Sequence, residues 1–244
     1  MGTLYVDTLE PQSGTSLAVG ESGQNTVIGG NTIKLNTLKD AGANTLFVSN
    51  GSGTLSSVNA GFGSAYTAIS TQTASNSASL SFTSGLTSTY VSYMFRMYTI
   101  APQTDDAYFQ FQCSTDGGSN YNTTMTTTLY RAYHAENNSA EGLGYQTSDQ
   151  AQGTAFQPLM ENEGMSDDAD SCFSCELYLF NPSSTTYVKN FYSRGQQITE
   201  SNTYYTVNPF VGGYFDTTSA INAIQFKYNT GNIVAGSIKM FGMK

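Results

Sequence analysis

From Tyr90 to Tyr133 the chain runs as three extended, aromatic-rich segments separated by two turns. The first carries Tyr90, Tyr93, Phe95 and Tyr98, the second Tyr108, Phe109 and Phe111, and the third Tyr121, Tyr130 and Tyr133. In 106–113 the pattern alternates, with Phe109, Phe111 and Cys113 on one face and Gln110 and Gln112 on the other. That is the period of a half-buried strand, because successive side chains of an extended backbone point to opposite faces. Pro102 with Asp105 and Asp106, and then Asp116-Gly117-Gly118, supply the turns. Glycine tolerates positive φ, and aspartate bonds its own backbone. The stretch predicts the middle of an antiparallel sheet.

The same grammar continues to the C-terminus. Extended patterns fall at 66–71, 77–83, 89–100, 106–114, 122–134, 172–180, 186–194, 203–208, 210–216, 220–228 and 234–242. Turn signals separate them at Ser84-Gly85, Asn181-Pro182, Gly195, Asn208-Pro209, Gly212-Gly213 and Asn229-Thr230-Gly231. Many strands with regular turns and no helical period predict an all-β head over 66–244, an antiparallel β-sandwich of jelly-roll type. Residues 135–171 interrupt the pattern with polar and acidic sequence. Long loops of this kind tend to be functional or mobile, so this segment is expected to form an exposed contact surface.

Residues 1–58 are different. Short aliphatic groups recur, Leu4 and Val6, Leu17 and Val19, Val27 and Ile28, Ile33 and Leu35, Leu46 and Val48, with Gly or Asn turns between them. Strands this short expose about as much as they hide and rarely support a core of their own. Copies from several chains can share one core, or the segment can order on a binding partner. The even scatter of small apolar groups favours the first, an intertwined homotrimeric stem with those residues inside. Residues 59–65, built of small side chains, form the joint to the head.

Charged residues make up 11% of the chain, about half the usual share, so neutral polar groups must cover the surface. With 9 basic against 18 acidic residues the net charge is −9. That disfavours nucleic acid and anionic membrane surfaces as partners. No apolar run approaches the length of a membrane span, and the N-terminus lacks a signal-peptide pattern.

The chemical inventory is thin. Cys172 and Cys175 have the spacing of a metal or redox pair, but Cys113 is the only other cysteine and His134 the only histidine. The carboxylate pairs Asp105-Asp106 and Asp167-Asp168 sit in turn-like segments, and 167–170 lacks the glycine and distal glutamate of a calcium loop. No serine has a nucleophile-elbow setting. The expectation is a chain with no catalytic residue, cofactor or metal. The 17 tyrosines stand out as a class. Tyr133, Tyr145, Tyr204, Tyr205 and Tyr214 fall near strand ends or loops, where an apolar ring with a polar tip suits contact with a receptor.

Three stretches carry a likeness. ValAspThrLeuGluProGlnSerGly (6–14) resembles the start of many structural proteins of tailed bacteriophages, marine ones especially. Residues 90–119, with AlaProGlnThrAspAspAlaTyrPheGlnPheGlnCysSerThrAspGlyGlySer at 101–119, and residues 220–244 resemble a module of phage fibre and virion appendage proteins. The resemblance implies a virion structural protein, a homotrimeric tail fibre or fibre tip. It would join another virion protein through its N-terminal segment and adhere to a host surface glycan or protein. A capsid decoration or head-fibre protein is the first alternative. A carbohydrate-binding β-sandwich is the second.

Overall fold

The structure, a computed structural model, describes residues 37–40, 42–52, 55–58, 65–160, 164–200 and 203–244. It divides into two compact units, Met1–Phe62 and Gly63–Lys244.

The first unit contains an antiparallel meander of β1 (Thr37–Lys39), β2 (Thr45–Ser49) and β3 (Leu55–Val58). Asp40 closes the first turn, its carboxylate accepting the backbone N–H groups of Gly42 and Asn44 at 2.9 and 2.8 Å. Leu46 and Val48 lie in β2, where every residue is half-buried, while Leu55 and Val58 are 54% and 46% exposed. Among the described residues of this unit none is fully buried. The other expected stem residues, Leu4, Val6, Leu17, Val19, Val27, Ile28, Ile33 and Leu35, lie outside the described residues.

The second unit is an antiparallel sandwich. Its smaller sheet has the order β10 (Gln157–Pro158), β7 (Phe109–Ser114), β14 (Ala223–Tyr228), β5 (Leu80–Phe82). The larger sheet begins with β4 (Thr67–Thr73), β15 (Ile233–Met243), β6 (Ser92–Pro102) and β11 (Phe173–Phe180). It continues with β12 (Lys189–Glu200), β13 (Tyr204–Phe215), β8 (Met125–Ala135) and β9 (Glu141–Tyr145). The quartets β4-β15-β6-β11 and β5-β14-β7-β10, between which the chain passes back and forth, have the strand order of a jelly roll. Two insertions extend that frame. The β8–β9 hairpin follows β7, the β12–β13 hairpin follows β11, and together they add four strands beyond β11.

Alternation builds the core. Phe173, Cys175, Leu177 and Leu179 of β11 point inward, as do Val207, Val211 and Phe215 of β13. Phe226 is central, its ring centroid 5.5 to 6.3 Å from those of Phe82, Phe95, Phe109 and Phe111. Each such fully buried side chain contributes about 1.5–3 kcal/mol.

Several local expectations are corrected. Strand β7 is buried on both faces and not half-buried. The reason is the acidic segment, whose residues 154–157 fold over the glutamine face. Gln112 donates to the carbonyls of Thr154 and Ala155 at 3.1 and 2.9 Å, and Gln157 pairs opposite Phe111. That segment also buries Leu159, Met160 and Met165, so only part of it is exposed surface.

Gly195 marks no turn; it lies within β12, where the Phe173 ring would stand 2.5 Å from an added Cβ. Asn208-Pro209 and Gly212-Gly213 likewise lie inside β13. Proline has no N–H for a sheet ladder. The register on either side, Arg194↔Phe210 and Gln197↔Val207, places Gly195 opposite Pro209. The Asn208 amide donates to the Gly195 carbonyl and so supplies a bond that the proline cannot make.

Candidate functional site

The outward side chains of the larger sheet form two contrasting bands. The first is an aromatic ladder. Tyr178, Tyr192, Phe210 and Tyr130, from four successive strands, have centroids 4.9, 6.0 and 5.0 Å apart and planes within 17°, 9° and 21° of parallel. Rings stacked on one another across strands stand upright and present their edges and hydroxyls to solvent. Burial, and then the Glu176 carboxylate, push the Tyr178 hydroxyl up, so it is a neutral donor at physiological pH. It donates to Glu176 Oε2 at 3.1 Å.

Beside the ladder runs a polar trough. Arg96 binds Glu176 through Nε at 2.7 Å and Nη2 at 2.6 Å, and Arg194 Nε donates to Asn208 Oδ1 at 3.1 Å. The Gln196 amide donates to Thr206 Oγ1. Three adjoining depressions meet at Gln196. The largest, about 440 Å³, also touches Glu136, Asp170, Cys172, Ser174 and Thr206. The second, about 360 Å³, is bounded by Arg96, Tyr98, Glu176 and Arg194, and the third by Ala132, His134 and Asn208. The trough thus crosses β6, β11, β12, β13 and β8, spanning the junction of jelly-roll frame and inserted strands.

A bulge shapes one end. Cys175 pairs with Met97 and Phe173 with Ile100, so Tyr98 and Thr99 together oppose Ser174 alone. Thr99 takes φ 48°, an uncommon conformation for a β-branched residue. Its N–H donates to Ser174 Oγ at 3.3 Å. Gly236, at φ 114°, lets β15 approach, since a Cβ there would lie 2.6 Å from the Thr99 carbonyl oxygen. The bulge leaves Tyr98 facing outward at the trough.

The structure brings together three of the five tyrosines singled out by the sequence. Tyr133, Tyr204 and Tyr205 gather at the end of the sheet remote from Thr67. The Tyr133 and Tyr205 rings meet edge to face at 6.2 Å, Arg131 lies 4.8 Å over the Tyr133 ring, and Tyr204 donates to Asp168 at 3.0 Å. Tyr145 stands apart on the edge strand β9, 60% exposed and opposite Tyr130, its hydroxyl bonded to Asp149. Tyr214 is at the other end of β13, beside Asn190 and Thr126.

Ser174, Arg194, Gln196, Thr206 and Asn208 escaped sequence reasoning. Polar residues alternating with apolar ones read as an ordinary solvated face, and only the sheet order shows that they converge. Burial pushes the thiols of Cys113 and Cys175 up, which keeps them protonated, and Cys172 is half-buried. Among the described residues no group of three His, Cys, Asp or Glu side chains is placed to hold a metal ion. Compared with known families, characterised proteins and solved structures, the chain matches none of them.

Proposed function

We propose that the chain is a structural protein of a bacteriophage virion, a homotrimeric tail fibre or fibre tip that adheres to the host surface and performs no catalysis. The observation that carries this reading is the trough. It is a preformed polar surface on a rigid sheet, its ionic and amide side chains already bonded to one another. It lies toward the end of the sheet remote from Thr67, the end at which the chain enters this unit. Such a surface suits contact, and residues 1–62 remain for assembly. The phage-like stretches 6–14, 90–119 and 220–244 support the same reading.

The short sheet β1-β2-β3 supports the shared stem. Its Phe47 and Val48 are half-buried and its Leu55 and Val58 exposed. Three strands of three to five residues, with no fully buried side chain among those described, gain from further copies to pack against. Three chains sharing these segments would complete the core and leave residues nearer the N-terminus to join a neighbouring virion protein.

Light scattering after size exclusion tests this. The expected mass is three times the 26.2 kDa of the chain. Deletion of 1–58 should give a folded monomer, because every fully buried apolar side chain among the described residues lies between Ala74 and Met240. A full-length monomer, or a truncated protein that still trimerises and enters virions, overturns the reading. Imaging labelled virions separates a tail position from a capsid one.

A further inference from the structure

We propose that the trough centred on Gln196 is a binding site for a neutral glycan, held across β6, β11, β12, β13 and β8 on the outer face of the larger sheet. The inference rests on the adhesive reading above and gives it a ligand class and an address.

Chemistry narrows the occupant. A peptide recognised through its backbone needs free ladder groups at a sheet edge. Here the floor is the middle of a sheet, whose backbone groups pair with neighbouring strands. What remains to a ligand are amides, guanidinium groups, carboxylates and hydroxyls. Planar side chains such as Gln196, Asn208, Arg194 and Glu176 offer paired donors or acceptors, the pattern that adjacent sugar hydroxyls complement. Their mutual bonds fix their positions beforehand, which lowers the ordering cost of binding.

Charge narrows it further. The lining holds Arg96 and Arg194 against Glu136, Asp170 and Glu176. That near balance, with Arg96 already neutralised by Glu176 at 2.6 Å, gives no surplus of positive charge for a phosphate or an acidic polymer. A neutral polyol loses nothing by this. The principal depression, about 440 Å³, is within the usual range of small-ligand sites, about 300–1,000 Å³. Its open continuations toward Tyr98 and His134 allow a chain of sugars to pass through.

The bulge points the same way. Bulges recur next to functional sites because they re-aim a side chain. Here one aims Tyr98 at the trough and holds Thr99 in a backbone conformation of the kind that clusters at ligand sites. Tyr98 at one end supplies an aromatic contact of the kind that sugar C–H groups meet.

The test applies full-length protein to an array of bacterial surface polysaccharides, neutral and anionic, with two variants alongside. Gln196→Ala removes the central amide. Ser174→Trp, at an exposed outward position of β11, fills the floor without touching the core. Tyr187→Ala, 69% exposed in the connection between β11 and β12 and outside the trough, is the control. The expected result is binding to neutral glycans, weakened about tenfold or more by each trough variant and unchanged by Tyr187→Ala. Light scattering on each variant reports folding and assembly separately. Binding only to anionic glycans, no binding to any glycan, or neutral binding unaffected by both trough variants overturns the inference. A trimer of normal mass that binds no glycan leaves the assembly reading standing and removes the glycan.

Discussion

Asp116 shows how one side chain ties pH to the fold. The Ser114 hydroxyl donates to its carboxylate at 2.6 Å, and Asn120 does so through its amide at 2.7 Å and its backbone N–H at 2.9 Å. Ser114 first, then Asn120, lower its pKa from 3.8 to about 2. A carboxyl whose folded value is depressed contributes stability above the unfolded value, and that stability is lost as pH falls through the folded value. Asp116 therefore contributes fully above pH 3.8 and loses its contribution between there and about 2. Urea midpoints followed down that window should fall more steeply for the native protein than for Asp116→Asn, and equal slopes would refute the assignment. The thiols make a second prediction at this scale. Maleimide on the native protein should modify Cys172 and spare Cys113 and Cys175, whose burial holds them protonated. Three equivalents should react after unfolding, and peptide mapping decides between these outcomes.

At the scale of elements, long strands tolerate residues that usually end them, provided a local device replaces what is lost. In β13 the Asn208 amide serves the Gly195 carbonyl opposite Pro209. In β6 and β15 the Thr99 bulge exists because Gly236 has no Cβ to meet the Thr99 carbonyl. Gly236→Ala combines that collision with an unfavourable positive φ and should cost roughly 2–3 kcal/mol. Thr99→Gly relieves the strained φ at the price of chain entropy and should stay within about 1 kcal/mol of the native protein. Guanidinium unfolding of both variants checks the contrast. A neutral Gly236→Ala would show that the close approach of β15 to the bulge imposes no constraint.

For the whole molecule, the two sheets are joined by a phenylalanine core with Phe226 at its centre. Phe226→Ala leaves a cavity between sheets that are held elsewhere by their own ladders. It should cost about 3–5 kcal/mol, read from chemical denaturation, without changing the assembly state. The inserted hairpins β8–β9 and β12–β13 widen one sheet of the jelly roll from four strands to eight. This broad outer face is what allows a trough to run across five strands. Tyr133 and Tyr205 lie on the opposite face of these added strands, in register with the buried Val207 and Ala135.

Alternation and turn chemistry determined the all-β class by themselves, since they are local properties of extended backbone. The sequence Tyr108 to Cys113 already carried the inward set Phe109, Phe111 and Cys113. Local signals also misled where tertiary contacts overrode them. Gly195 and Pro209 read as breaks because the ring of Phe173 and the amide of Asn208 come from elsewhere along the chain or fold back across strands. The glutamine face of β7 read as solvated because its cover comes from residues some forty positions away, with a sequence separation of 42 and 43 in its two amide bonds. Strand order, the added four strands and the trough were decided only by tertiary structure. Each depends on which distant strands pair, and a polar residue on a strand has the same local pattern whether it faces open water or five converging neighbours.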